Sequence, residues 1–325
     1  MTRSASLGEL NRIIIVIMRV LMAFGRYLQD VADGKKSISG ATLLPHTLLH
    51  EALQCRDEID RKVIEAQWNT LVETLKSSGA LDNSLAVCDV SGSMGSIHSG
   101  MYGNRVSPIL PAVALSIVLA QIARPPWNNA FITFSASPKV ERINLTDGFV
   151  SVVNFMVGTD WEMNTDFNAV FTKLLLPMAK ESQLPKDEMI KRLFVFSDME
   201  FDQSSSQSGA AWETEHQKTV KAFEEAGYDV PEIVYWNLQG ARGAKPVTAN
   251  EKSGVSLMSG FSANMMKVFM DGGEGVEEVE IIEEEGVDGQ EGEVVVKKVQ
   301  KKMTPEQIMR KALDKPSYAT LVVLD

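Results

Sequence analysis

The sequence predicts an α/β protein in which helices flank a mostly parallel central sheet, with a small helical region in front of it. After residue 81, short apolar segments alternate with helical ones, an order that is typical of parallel sheets. The short segments are apolar at successive positions, as strands buried on both faces are. Before residue 81, apolar residues recur instead at helical spacing.

The helical region is predicted to cover residues 1–80, with helices over 9–31 and 41–79. The apolar run 13–24 of the first helix is interrupted by Arg19 and is shorter than the roughly 20 apolar residues of a membrane span. We therefore expect a buried helix and no membrane contact.

The number of cysteines indicates whether the protein belongs in a reducing or an oxidising compartment of the cell. The chain has two cysteines, Cys55 and Cys88, which are too few for a disulfide framework. No small-residue cleavage pattern follows the apolar run near the start, so a cleaved signal is not expected. These features favour an intracellular, cytoplasmic protein.

The remaining residues, 81–325, are predicted to form the α/β domain. Apolar segments predict strands at 84–90, 129–135, 139–145, 191–198 and 232–238. Helical spacing predicts helices at 111–123, 165–179, 216–228 and 262–270. A C-terminal helix and a closing strand or packed tail are expected over 304–325.

An acidic insertion at 271–303 interrupts this order. Its first part, 271–293, holds eleven acids and no lysine or arginine, and without them the 43 acids of the chain fall to 32, which equals the 32 basic residues. The rest of the chain is therefore neutral and shows no basic footprint for nucleic acid. A solvated or disordered insertion is the first interpretation, and a hairpin around "DG" is the alternative.

Polar side chains collect where two predicted strands end. Asp89, Ser91 and Ser93 follow the first strand at alternate positions, Asp198 follows a later one, and Thr165 lies at the start of a predicted helix. The carboxyl ends of parallel strands share one edge of a sheet, where ligands bind. Oxygen ligands without histidine or cysteine suit Mg²⁺, with Mn²⁺ or Ca²⁺ as alternatives. A simple polar turn is the competing interpretation.

Histidines and tryptophans elsewhere are interpreted as structural. His46 and His50 lie one helical turn apart without a third ligand, so packing or a surface position is favoured over a zinc site. The five tryptophans are expected in the core or at its edge: Trp68, Trp127, Trp161, Trp212 and Trp236.

The stretch "DVSGSM" resembles the D-x-S-x-S motif of the metal-ion-dependent adhesion site in von Willebrand factor A-type domains, whose fold is Rossmann-like. The resemblance implies direct metal contacts from Ser91, Ser93 and Thr165. It places Asp89 and Asp198 close by, often acting through water. A rival to Thr165 is the threonine of "GTDW", Thr159, but the strong helix that begins at residue 165 favours the former.

Longer motifs are similar to an uncharacterised family, mostly from plants and fungi, that joins a helical region to an A-type domain. The resemblance covers about residues 33–270 and the C-terminal tail, and it rests on "LLPH", "CDVSGSM", "NTDFNAVF", "FVFSDMEFD" and "YATLVVLD". This family is distantly similar to the RNA-binding TROVE (Ro autoantigen) proteins. Association with RNA is therefore an alternative function.

The leading hypothesis is a binding module rather than an enzyme. A partner protein would present an aspartate or glutamate that completes the coordination of the cation. One version of this hypothesis lets the acidic insertion supply that carboxylate. A metal-dependent hydrolase is less favoured, because a phosphatase-type D-x-D signature would need an acid where Ser91 stands.

Overall fold

A six-stranded sheet forms the centre of the protein. The computed structural model describes residues 7–40, 42–79, 81–98, 101–102, 105–133, 138–158, 169–199, 219–239, 254–270, 276–283, 294–301 and 305–313. The sheet order is β5-β4-β1-β6-β7-β8. Five strands run parallel and β5 pairs antiparallel with β4 at one edge. The predicted α/β class and the mostly parallel sheet are therefore confirmed.

The strands have the following bounds: β1 Ser84–Cys88, β2 Met101–Tyr102, β3 Arg105–Val106, β4 Ala130–Thr133, β5 Val140–Arg142, β6 Arg192–Ser197, β7 Glu232–Asn237, β8 Val255–Ser259, β9 Val276–Glu283 and β10 Val294–Lys301. The helices are α1 Leu7–Ala32, α2 Pro45–Leu53, α3 Glu58–Lys76, α4 Ile109–Ile122, α5 Phe149–Gly158, α6 Leu176–Glu181, α7 219–225 and α8 Pro305–Leu313. A π-helical segment, Val170–Leu175, leads into α6, and the segment Ala263–Phe269 is a 3₁₀ helix.

Side-chain alternation along the strands divides the core into two layers. In β1, Ala86 and Cys88 join the cluster that contains α2 to α5, whereas Leu85 and Val87 join the cluster under α6 and α7. Successive residues of a strand point to opposite faces. Both faces are covered, which explains why the central residues of β1, β6 and β7 are apolar at successive positions.

The predicted second helix, 41–79, is wrong as a single element, because the chain breaks between α2 and α3. Asp57 has an extended backbone and its carboxylate accepts hydrogen bonds from the backbone N–H groups of Ile59 and Asp60, each at 2.9 Å. An aspartate in this role caps a new helix and offers the backbone an alternative to continuing the old one.

The expectation that the apolar run 13–24 lies in a buried helix is also wrong. These residues belong to α1, and the side chains described between 15 and 24 are exposed. Among the residues that the structure describes, no helix is both long enough and apolar enough to span a membrane.

The acidic insertion contains a two-stranded antiparallel hairpin of β9 and β10. The backbone register places Glu280 opposite Lys297. The hairpin alternative is thus what the structure shows within 271–303. The helix α8 follows as predicted, and the expected closing strand lies outside the described residues.

Trp68 joins the helical region to the α/β part. Its side chain is fully buried, and its ring stacks on Phe149 with centroids 3.7 Å apart and an interplanar angle of 9°. The indole N–H donates a 2.8 Å hydrogen bond to the side-chain oxygen of Gln121 in α4. One tryptophan therefore ties α3 to both α4 and α5.

We expect Trp68→Ala to lower the free energy of unfolding by about 3–5 kcal/mol, because it removes a large buried ring and leaves a cavity. The control is Ile59→Ala on the same helix, where the side chain is 38% exposed and the loss should stay below about 1 kcal/mol. Urea unfolding of both variants measures the difference. Equal losses would show that α3 is not held by this contact.

His46 is a buried group whose charge depends on pH. Its ring packs edge-on against Phe261 with centroids 5.1 Å apart, and within the described part of the chain its Nδ1 has no hydrogen-bond partner. Burial and the nearby His50 lower the pKa of His46 from 6.5 to about 4. The native state therefore holds this imidazole neutral.

A histidine whose pKa is lowered by folding stabilises the native state above its unfolded pKa and loses that stabilisation as it becomes protonated. We expect the urea midpoint to fall as the pH drops from 6.5 towards about 4. The fall should be largely lost in His46→Phe and only slightly reduced in His50→Gln, because burial is the larger cause of the lowered pKa and His50 the smaller one. A pH profile that is the same in His46→Phe as in the wild type would contradict this assignment.

Candidate functional site

The candidate site lies at the carboxyl edge of the sheet, where β1 and β6 end side by side. The two strands are parallel, with Cys88 opposite Phe196. The backbone N–H of Asp89 continues the ladder with a 3.0 Å hydrogen bond to the Phe196 carbonyl. Asp89 thus stands beside the end of β6, where Asp198 follows.

These two strands are also where the strand order of the sheet reverses. From β1 the chain builds outward to β4 and β5, and it then returns to place β6 on the other side of β1. The chain that leaves β1 therefore leads to one half of the sheet, and the chain that leaves β6 leads to the other half. Ligands of open α/β sheets bind at this position.

Two hydrogen bonds fix the carboxylate of Asp89, whose residue is only 1% exposed. One oxygen accepts from the backbone N–H of Ser91 at 2.9 Å, and the other accepts from the Ser197 hydroxyl at 2.6 Å. Burial raises the pKa of this carboxyl above its ordinary value, and the charge of Asp198 acts in the same direction, whereas the hydrogen bonds from Ser197 and Ser91 oppose it. A cation beside this pair of acids would offset the cost of their burial.

The two serines lie together on the short turn after β1. Their hydroxyl oxygens are 3.0 Å apart. Ser91 is buried and Ser93 is exposed, so this oxygen pair extends from the buried acids to the surface. A 3₁₀ turn, Gly92–Met94, produces this arrangement.

Met94 anchors the turn from below and ties it to the second acid. Its carbonyl accepts a 2.9 Å hydrogen bond from the Ser107 hydroxyl, and its sulfur lies 3.2 Å from the backbone nitrogen of Asp198, which donates to it. The next residue, Gly95, has a φ of 85°, and a Cβ there would lie 2.2 Å from the Ser107 oxygen. The positive φ and the closeness of the Ser107 hydroxyl both favour glycine at this position.

The segment after β6 also turns sharply. Met199 is buried and has a φ of 66°, a region that costs a residue with a side chain about 1–3 kcal/mol. Its backbone N–H donates a 3.0 Å hydrogen bond to the Ser197 hydroxyl. Ser197 therefore holds both the Asp89 carboxylate and this turn.

The structure brings Asp89, Ser91, Ser93 and Asp198 to one edge, whereas Thr165 and its rival Thr159 lie outside the described residues. Sequence reasoning missed Ser197 and Met94. Ser197 could have been found from the sequence, because it is the last strand residue before Asp198. Met94 could not, since no sequence pattern links a methionine in a turn to a metal site.

The donor set fits a hard cation. Carboxylate and hydroxyl oxygens are the ligands that Mg²⁺, Mn²⁺ and Ca²⁺ take in proteins. In the described part of the chain, no group of three or more histidine, cysteine, aspartate or glutamate side chains is placed to hold a metal ion. A cation here would depend on the serine hydroxyls, on water and on ligands from elsewhere.

Comparison with known proteins identifies two uncharacterised families. The family described as a domain of unknown function, DUF7788, matches residues 83–313, and a second domain of unknown function, DUF2828, matches residues 19–81. "Uncharacterized protein L728" of Acanthamoeba polyphaga mimivirus is 31% identical over 248 residues, which are 76% of this chain and 40% of the relative. The chain therefore spans about two fifths of that relative, and a viral source does not support the expected plant and fungal one.

A solved structure also aligns with the chain. The crystal structure of the Deinococcus radiodurans RO (RSR) protein covers 71% of this chain and 44% of its own, with 17% sequence identity and a TM-score of 0.42.

Ser197→Ala should lower the free energy of unfolding by about 1–3 kcal/mol, because a buried carboxylate loses a donor. The matched control is Ser93→Ala, which removes an exposed hydroxyl and should change stability by less than about 0.5 kcal/mol. Urea unfolding measures the stability of both variants, and a chelator in the buffer removes any bound cation from the comparison. Indistinguishable values for the two variants would show that Ser197 does not hold Asp89.

Proposed function

We propose that this chain, which belongs to the DUF7788 family, binds a divalent cation at the carboxyl edge of its sheet and uses it to hold a partner protein. One observation carries the proposal: two buried acids, Asp89 and Asp198, follow the two strands at which the strand order reverses. Burying two neighbouring carboxylates is costly without a countercharge. A bound cation would offset the free-energy cost of burying these two carboxylates.

The ligands would come from the turn after β1 and from the segment after β6. Ser91 and Ser93 would contact the cation directly, with Asp89 and Asp198 close by, and Thr165 is expected to join them. The cation is proposed to be Mg²⁺, with Mn²⁺ or Ca²⁺ as alternatives. Six or more ligands surround these ions, and positions that the protein does not fill are taken by water or by an incoming oxygen.

The partner is proposed to be a protein that presents an aspartate or glutamate. Hydroxyl ligands are neutral, so a cation held directly by serines keeps much of its attraction for an anionic oxygen. Ser93 is exposed while the two acids behind it are buried. An incoming carboxylate would therefore meet the cation from the solvent side.

An external partner is favoured over the chain's own acidic hairpin. The carbonyl of Phe269 lies 3.4 Å from Nη1 of Arg192, the first residue of β6. Phe269 therefore lies at the amino edge of the sheet, opposite the candidate site, and this position favours a carboxylate from outside the chain.

A binding role is proposed rather than an enzymatic one. Catalysis of hydrolysis would require a base within hydrogen-bond reach of the reacting group. His98, the histidine of the turn region, is exposed, and its backbone N–H binds the Ser96 hydroxyl at 3.3 Å. Association with RNA stays a prediction from the sequence resemblance.

Calorimetry with Mg²⁺ or Mn²⁺ tests the cation. We expect Asp89→Asn to weaken binding at least about tenfold, because it removes a charge while keeping the side-chain shape. The matched control is Asp82→Asn, at the opposite end of β1, where the acid is exposed and pairs with Arg124 at 3.0 Å. No binding by the wild type at millimolar metal, or equal weakening in both variants, would contradict the proposal.

The partner is tested separately by affinity purification with the intact protein and Asp89→Asn, each with and without a chelator. A protein held through the cation should be lost both with the chelator and with Asp89→Asn. It should be retained by Asp82→Asn. Capture that withstands the chelator would contradict recognition through the cation.

A further inference from the structure

The first helix exposes more apolar surface than any other described element. Eight large apolar side chains of α1 are each between 51% and 62% exposed: Ile15, Val16, Ile17, Met18, Val20, Leu21, Met22 and Phe24. Among the α1 residues whose side chains the structure describes, 15–32, those near the C-terminal end pack on α3, and Val31 there is 4% exposed. Such a helix is not expected to stand alone in water.

The apolar residues of α1 follow a heptad pattern along its whole length. The two heptad core positions hold apolar residues throughout: Leu7, Leu10, Ile14, Ile17, Leu21, Phe24, Leu28 and Val31. Three arginines, Arg12, Arg19 and Arg26, recur at seven-residue spacing on the side opposite this stripe. Apolar residues at both core positions over more than three heptads are typical of helices that pair as coiled coils.

The stripe is already a helix-packing surface at one end. Val31 is buried and Leu28 is half-buried where α1 meets α3, and both belong to the stripe. Further towards the N-terminus, Ile17, Leu21 and Phe24 continue the same stripe and are exposed. The stripe therefore packs on α3 at its C-terminal end, and its middle part is exposed.

The charge pattern of α1 indicates which partner covers the exposed part of the stripe. The positions that flank a heptad stripe usually carry the charges that select a different partner. In α1 they are all uncharged: Asn11, Ile13, Met18, Val20, Gly25 and Tyr27. Two copies of α1 would therefore meet without repulsion, with the arginines of each facing away from the other.

Five of the exposed side chains lie on the stripe or at its flanking positions: Ile17, Met18, Val20, Leu21 and Phe24. Each is more than half exposed, so together they offer about 500 Å² per chain, which is at the low end of protein interface sizes. We propose that a second copy of this chain covers the stripe with its own α1, so that the protein assembles at least as a dimer through a pair of N-terminal helices. This assembly does not depend on the cation.

The mass of the full-length protein in solution tests the proposal directly. Sedimentation equilibrium or light scattering at micromolar concentration should give at least twice the 35.8 kDa of one chain. A monomer across the accessible concentration range would overturn the proposal. A monomer that sediments with phosphatidylcholine–phosphatidylserine vesicles would overturn it in favour of a lipid surface.

Two neighbouring substitutions then locate the interface. Ile17→Glu places a charge on the stripe and should shift the protein to the monomer, whereas Val16→Glu places the same charge beside it. The wild-type residues are similarly exposed, at 51% and 58%, so Val16→Glu should disturb the assembly less. Equal dissociation by both, or by neither, would contradict a heptad interface.

The fold of each variant is checked by far-ultraviolet circular dichroism, which should show the wild-type helix content because both positions are exposed. If either variant is destabilised, a cysteine substituted at Leu21 in the otherwise intact chain gives an independent test. Oxidation should then link two chains at Leu21→Cys more readily than at Arg19→Cys. Linking that is no faster on the stripe than on the arginine side would overturn the proposal.

Discussion

The parallel pairing of β1 with β6 is the interaction on which the rest of this structure depends. It joins five successive residue pairs from Ser84 with Arg192 to Cys88 with Phe196. The two strands are far apart in sequence, and the chain between them forms β4 and β5 on the other side of β1. The pairing therefore creates the reversal of strand order, places the two acids at one edge, and assigns the helices to the two faces.

The buried acids at the two edges of the sheet have different partners. At the amino edge, Glu232 is paired within the chain, since Nε of Arg192 lies 2.7 Å from its carboxylate and the guanidinium also packs over the Phe269 ring. At the carboxyl edge, the described partners of the Asp89 carboxylate are an amide and a hydroxyl, neither of which carries a full charge. At the amino edge, the chain supplies a full positive charge to the buried acid, although Oε1 of Glu232 has no hydrogen-bond partner among the described residues. At the carboxyl edge, that positive charge would come from the proposed cation. This contrast is the physical basis for proposing that the carboxyl edge is the binding edge.

Much of the fold was predictable because a strand that is buried on both faces has apolar residues at successive positions of the sequence. The strands β1, β6 and β7 are apolar in their central residues, and their predicted bounds differ from the observed ones by at most two residues. The break before α3 was not predicted, since one capping side chain, Asp57, overrides a continuous helical spacing of apolar residues. The exposure of α1 was not predicted either, because an apolar sequence indicates that a surface should be covered but not which molecule covers it.

The class of fold and four of the oxygen-bearing residues at the sheet edge could be predicted from the residues alone, because strand periodicity and the position of an acid after a strand are local properties. The orientation of the Asp89 carboxylate could not, since it depends on Ser197, which lies 108 residues away. The same holds for Met94, which ties the first turn to the second acid across 104 residues. Contacts between such distant positions arise from packing, and no local pattern of residues encodes them.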